Sequence, residues 1–126
     1  MCALDPLQRD LVKCEDMRLH AERAVAFLGT KTLVEFQADD MLQAAVIRCV
    51  EVVGEAARQV SQDTRTRAPE IPWSQVIGMR NVLAHDYGIV DPERIHAVVT
   101  RHLPLLLAHL KPLLAALEAD AGWREE

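Results

Sequence analysis

The chain is poor in aromatic residues: two Trp, two Phe and one Tyr among 126 positions. Its core must therefore be built from Leu, Val, Ala and Ile. Glycine and proline are also few, with five and six copies. That argues against a fold made of many short strands and tight turns, and Ala and Leu favour helix. Cysteine occurs three times, at Cys2, Cys14 and Cys49. The odd count and the spacing exclude a disulfide framework and a Cys-based metal site. The three are read as free thiols in a reducing cytoplasm, with Cys14 and Cys49 facing the core and none catalytic. No apolar run is long enough to span a membrane, and no secretory leader opens the chain. An excess of positive charge is missing as well. The formal net charge is −5, which excludes a broad, non-specific nucleic-acid surface but leaves room for a small site. There is no internal repeat, no glycine-rich phosphate loop and no Ser-His-Asp arrangement.

What is present is helical periodicity. A chain of this size forms one domain, residues 1–126, and buries roughly two-thirds of its unfolded surface. Leu4, Leu7, Leu11, Cys14, Met17, Ala21, Ala24 and Leu28 recur at three- and four-residue steps, which predicts a first helix over 4–28. Asp5 is its expected N-cap, Pro6 its first helical residue and Gly29 its stop. His20 is expected to face solvent. A connector over 30–38 draws apolar contacts from Thr32, Leu33, Val34 and Phe36, with room for one short helical turn. Asp39 and Asp40 offer an N-cap for a second helix over 40–62.

That second helix is apolar on more than one side, which predicts burial on more than one side. It is expected to pack on the first helix and on a partner chain. Gly54 fits a close helix approach. Glu51 and Glu55 either form an exposed strip or orient a residue of the site described next. Pro69-Glu70-Ile71-Pro72 makes an extended entry into a third helix over 72–86. Trp73 is expected to anchor that helix by packing, and Gly78 to permit tight contact. Asp91-Pro92 begins a last helix over 92–119, with a kink expected near His102-Leu103-Pro104. His96, His102 and His109 are spaced six and seven apart, which does not suit a helical metal site. Residues 118–126 are expected to form a flexible tail, with Trp123 a candidate to dock.

The densest chemistry lies in Met79-Arg80-Asn81-Val82-Leu83-Ala84-His85-Asp86-Tyr87-Gly88. Arg carries a permanent charge on a planar fork that matches phosphate. His can move a proton near neutral pH. The pair suits phosphoryl chemistry on an anionic backbone. The same residues also fit a structural role, with Arg80 in an ion pair and His85 at a helix C-terminus, where a cation is favourable. Five residues apart, Arg80 and His85 lie roughly 140° apart on an ideal helix. They converge only if the last turn loosens or two chains each contribute a copy. Gly88 is suited to end the helix. Arg58, Arg65, Arg67 and Arg80 against Asp63 and Glu70 make the 58–80 region locally positive, either as a binding surface or as a solvated connector.

Arg80, His85 and Tyr87 form an Arg-x4-His-x-Tyr pattern that resembles the motif of the HepT-like toxins, members of the HEPN superfamily of helical ribonucleases. Arg48-Cys49-Val50-Glu51-Val52-Val53-Gly54-Glu55-Ala56, Pro69-Glu70-Ile71-Pro72-Trp73 and Ile77-Gly78-Met79-Arg80-Asn81 resemble family segments in the family order, followed by Val90-Asp91 and Leu103-Pro104. The likeness runs from about Leu7 to Leu117. It implies an all-α, four- to five-helix up-and-down bundle that forms a homodimer and brings two motifs into one cleft. It implies metal-independent RNA cleavage without a cofactor: His85 as general acid or base, Arg80 stabilising phosphorane charge, Asn81 assisting and Asp86 either tuning His85 or facing solvent. It further implies a toxin–antitoxin pair, in which a minimal nucleotidyltransferase antitoxin attaches AMP to Tyr87. The second reading is a non-catalytic helical partner that binds and regulates a nucleotidyltransferase, with the motif as its docking or modification site.

Overall fold

The computed structural model describes residues 4–83 and 91–122, and among these the secondary structure is all helical. The expected all-α bundle is what is observed. Helix α1 spans Pro6–Leu28. The Asp5 carboxylate accepts from the Gln8 backbone at 2.8 Å, and the Gln8 side chain accepts from the Asp5 backbone at 3.2 Å. This capping box and the proline after it start the helix as the sequence predicts. Gly29 ends it at φ 57°, a conformation that favours glycine. The stripe from Leu11 to Leu28 is buried, whereas Leu4 is exposed.

A short helix α2, Leu33–Gln37, carries a second capping box between Thr32 and Glu35. Phe36 is fully buried, but Val34, expected to pack, is 73% exposed. One helical turn has only one inward face, and Phe36 takes it. Helix α3 runs Asp40–Arg58 behind an Asp39 N-cap. It stops four residues short of the predicted end. The Arg65 guanidinium explains why: it donates to the carbonyls of Arg58 and Val60, both at 3.0 Å, and so satisfies groups that a longer helix would pair internally. Ser61 then caps a separate short helix α4, Gln62–Thr66.

Helix α3 packs against α1 on one flank and against α5, Trp73–Leu83, on the other. Much of its apolar surface is thus covered within one chain, although Met41 is 85% exposed and Ile47 and Val52 are half-buried. After Asp91, which caps its first turn, helix α6 covers Pro92–Ala97. A π-helical turn over Val98–His102 leads into α7, Leu103–Ala121. The expected kink takes this form. The Leu103 N–H reaches back five residues to the Val98 carbonyl. Pro104 has no N–H to donate and its ring crowds the preceding turn, so the widened turn just before it accommodates the proline. The last helix continues to Ala121 and is closed by Gly122 at φ 64°. Trp123 lies outside the described residues.

The core fills the space among α1, α3 and α7, with Met17, Val50, Val53, Leu103, Leu110 and Leu117 fully buried or nearly so. Cys14 and Cys49 are buried free thiols. Burial, with Asp10 and Glu15 nearby, pushes the Cys14 thiol up to about 12, and burial raises Cys49 as well. Neither is a nucleophile near neutral pH. Gly78 departs from expectation: a Cβ placed there meets nothing within 4 Å, so no close approach demands glycine at that position. No described helix is long and apolar enough to cross a membrane.

Candidate active site

The site begins with what fixes the start of α5. The connector from Val60 to Pro72 contains only the short helix α4 and is held in place by polar bonds to neighbouring helices. Asp10, on the inward face of α1, is only 5% exposed. Its carboxylate accepts from the Ser61 backbone at 3.0 Å, from the Thr64 hydroxyl at 2.5 Å and from the Ser61 hydroxyl. A buried carboxylate is tolerable only with such partners. Arg67 pairs with Asp120 of α7 at 2.5 Å. Trp73 is buried, and its indole N–H donates to the Ala68 carbonyl at 3.1 Å. Trp73 is therefore a packing anchor, as expected. The arginines of this stretch are engaged locally: Arg58 pairs with Glu55 at 2.6 Å, and Arg65 closes the end of α3.

Helix α5 leads from this anchored start to Arg80 and Asn81, which lie in its last turn. His85, Asp86 and Tyr87 lie outside the described residues. The backbone thus presents the first half of the motif at the end of a helix whose other end is fixed to α1, α3 and α7.

Two concavities carry residues that the sequence singled out. One is a cleft of about 400 Å³ between α5 and the π turn with α7. Gln75, Val76 and Met79 form one wall; His102, Leu106 and His109 form the other. The second is an open groove of about 520 Å³ between α1 and α3, where Lys13, Asp16, Arg48, Glu51 and Glu55 mix both signs of charge. The glutamates that the sequence singled out thus line a polar groove, with Glu55 also accepting from Gln59 at 3.1 Å.

The three histidines of the last helical stretch separate. His96 is drawn away, its Nε2 3.2 Å from the Lys31 carbonyl and its ring tilted against Phe36 at 6.1 Å. His102 and His109 share the cleft. Among the described residues, no group of three or more His, Cys, Asp or Glu is placed to hold a metal. His20 is half-buried rather than solvent-facing, its Nδ1 2.9 Å from the Asp16 carbonyl.

Sequence reasoning passed over Asp10 and Thr64, and it read Arg65 only as part of a positive surface or solvated connector, whereas its guanidinium closes the end of α3. A signal for Asp10 existed: it falls at helical spacing with Cys14, Met17 and Ala21, so it sits on the apolar stripe. A carboxylate there must find donors.

Comparison with known proteins bears on what this arrangement does. The family described as "Ribonuclease HepT-like" matches residues 17–113. The chain belongs to the HepT-like ribonuclease family. Among its relatives is a Thermococcus cleftensis protein named "Probable ribonuclease HepT", 35% identical over 99 residues, which cover 79% of this chain and 90% of that one. The "Putative RNase MJ0125" of Methanocaldococcus jannaschii is 29% identical over 103 residues, 82% of this chain and 89% of the relative. The "Putative RNase MJ1380" of the same organism is 37% identical over 70 residues, where the match spans 56% of this chain and 64% of the relative's length. Ribonuclease is the enzyme class to which this resemblance assigns the chain. No solved structure matches it at a significant level. The HepT-like match includes the whole stretch from Asp10-anchored Ser61 to the Arg80–Tyr87 motif and on into α7.

Proposed function

We propose that this HepT-like chain is the toxin of a toxin–antitoxin pair and cuts RNA through Arg80 and His85. The observation that carries the reading is that the family match runs through the Arg80, His85 and Tyr87 motif, on a chain whose α5 delivers Arg80 from an anchored start. In the proposed reaction the ribose 2′-oxygen attacks the adjacent phosphorus and the bond to the 5′-oxygen breaks. The product is a 2′,3′-cyclic phosphate and a free 5′-hydroxyl. His85 takes the 2′-proton or supplies the one needed by the leaving oxygen. Arg80 stabilises the charge on the phosphorane through its fork of donors. Asn81 adds a hydrogen bond, and Asp86 either tunes His85 or faces solvent. A positioned proton donor and a charge stabiliser supply what this displacement needs, so the step is assigned no metal and no cofactor. A homodimer that brings two motifs together removes the angular separation of Arg80 and His85 along one helix.

Tyr87 is the proposed point of control. AMP attached to it by a minimal nucleotidyltransferase antitoxin adds negative charge and bulk beside Arg80 and His85, which repels and blocks the RNA phosphate. The test is RNA cleavage by the wild type beside Arg80→Ala and His85→Ala. Each variant is expected to lose cleavage by about 10²-fold or more while its helical circular dichroism is unchanged. Undiminished cutting by either variant refutes the assignment. A wild type that co-purifies with a nucleotidyltransferase but cuts nothing favours the non-catalytic partner instead. A mass gain on the Tyr87 peptide after co-expression with the antitoxin supports modification, and neutralisation without that gain means masking.

A further inference from the structure

The cleft between α5 and α7 belongs to no role assigned so far. Its walls are Val76 and Met79 on one side and Leu106 on the other, with the His102 and His109 rings beside them. At about 400 Å³ it falls in the size range of small-ligand sites, ~300–1,000 Å³.

Three features restrict what it can take. First, among the described residues no Lys or Arg lines it, while Glu70 does. A phosphate is therefore repelled, and a flat uncharged group is not. Second, imidazole rings next to aliphatic side chains make the kind of surface on which bases stack. Third, one wall of the cleft is the motif helix itself: Met79 directly precedes Arg80, and Val76 lies one helical turn before it. The backbone feature opposite points the same way. His102 closes the π turn, and π turns inside helices are frequent at functional sites because they re-aim one side chain out of the regular register.

We propose that this cleft is a nucleobase subsite. It takes one base of the RNA strand next to the phosphate that Arg80 engages, with the base lying against His102, His109 and the apolar wall. It rests on the ribonuclease reading for its place beside the cut, and on the cleft's own chemistry for base binding. The two parts are separable by experiment.

The probes are the four free nucleosides, which lack the phosphate that Arg80 would attract, and inorganic phosphate alone. The readout is the ring Cε1–H signals of His102 and His109 in the NMR spectrum of the full chain. At millimolar concentration at least one nucleoside is expected to move both signals, and phosphate neither. Leu105 lies at the cleft and is 60% exposed, so Leu105→Trp places a large ring there without disturbing the core. It is expected to weaken the nucleoside response by about tenfold or more. Gln75→Trp, on the opposite wall and also exposed, is the second variant should the first misfold. A wild type in which no nucleoside moves the signals overturns the proposal. So does a response that survives unchanged in a folded cleft-filling variant.

On RNA of randomised sequence, the wild type is expected to show a base preference at one position beside the cut. His102→Ala and Leu105→Trp are expected to flatten that preference. An unaltered preference removes the cleft from substrate recognition and overturns the proposal. If the wild type cuts no RNA yet nucleosides still move both histidines, the ribonuclease reading fails and base binding stands. Cutting without any nucleoside response has the reverse meaning.

Discussion

Helix α3 has a neighbour on each flank, and the two flanks are built differently. Toward α1, apolar side chains close on one another, and the buried carboxylate of α1, Asp10, is consumed by Ser61 and Thr64. Toward α5 the packing is one-sided: α5 rests on α3, but a cleft separates it from the π turn and α7. The first flank is organised mainly for stability: its buried side chains close on one another, and the groove it leaves at the surface is open and lined by both signs of charge. The second leaves a wall of the motif helix accessible. A small helical domain thus places its most closely packed core and the accessible wall of its motif helix on different flanks of one central helix.

A matched pair on α7 tests that contrast most strongly. Leu110 is fully buried and Leu105 is 60% exposed at the cleft. Leu110→Ala is expected to destabilise the fold by about 2–5 kcal/mol, and Leu105→Ala by less than about 0.5 kcal/mol. Urea unfolding of both variants measures it, and equal losses would mean that the cleft is closed in solution. Next in size is Asp10→Ala, which strands the Ser61 and Thr64 donors and is expected to cost about 2–3 kcal/mol. Because that bond set anchors the connector rather than the cleft, the nucleoside response should persist in the folded fraction. Trp73→Phe keeps most of the packing and removes only the bond to the Ala68 carbonyl, for about 1 kcal/mol. A loss several times larger would show that the indole bond positions the whole of α5.

The smallest effect is alkaline. Burial raises the Cys14 thiol from its ordinary 9.0 to about 12, so the fold favours the neutral thiol. That contribution is complete below pH 9 and is lost as pH rises toward 12. By pH 9.5 the loss should stay under about 1 kcal/mol. Cys14→Ala should abolish this part of the pH dependence, and a thiol reagent should reach native Cys14 only at the unfolding rate. Rapid labelling at pH 8 would show the α1 flank to be looser than its packing implies.

Much of the fold is legible in the sequence because it rests on local rules. Asp5-Pro6, Thr32 with Glu35, Asp39 and Asp91-Pro92 each start a helix through contacts within three residues. The burial of Cys14, Met17, Val50, Val53, Leu103 and Leu110 follows from helical spacing alone. Local rules fail wherever a distant group intervenes. Helix α3 has the composition to continue to residue 62, yet Arg65 folds back onto its final carbonyls. Val34 has the hydrophobicity to be buried, yet one turn of helix cannot bury both it and Phe36. The breadth of the apolar face on α3 is readable from spacing, yet that α5 takes part of it is not. Of the proposed site, the residue types and their order are readable in the chain, Arg80 and Asn81 are found at the end of α5, and His85, Asp86 and Tyr87 fall outside the described residues.

By itself the sequence determined that this protein is helical, where most of its helices begin, which residues they bury and to which family of ribonucleases it belongs. These depend on side-chain periodicity, capping chemistry and a motif of fixed spacing, all carried by neighbours in the chain. Only the tertiary structure decided that Asp10 locks a connector 51 to 54 residues away, that α5 packs on the second side of α3, and that His102 and His109 share a cleft while His96 does not. Those outcomes depend on which helix surfaces meet, and on how a π turn ahead of Pro104 rotates the residues that follow it. Spacing along one chain segment carries no record of either.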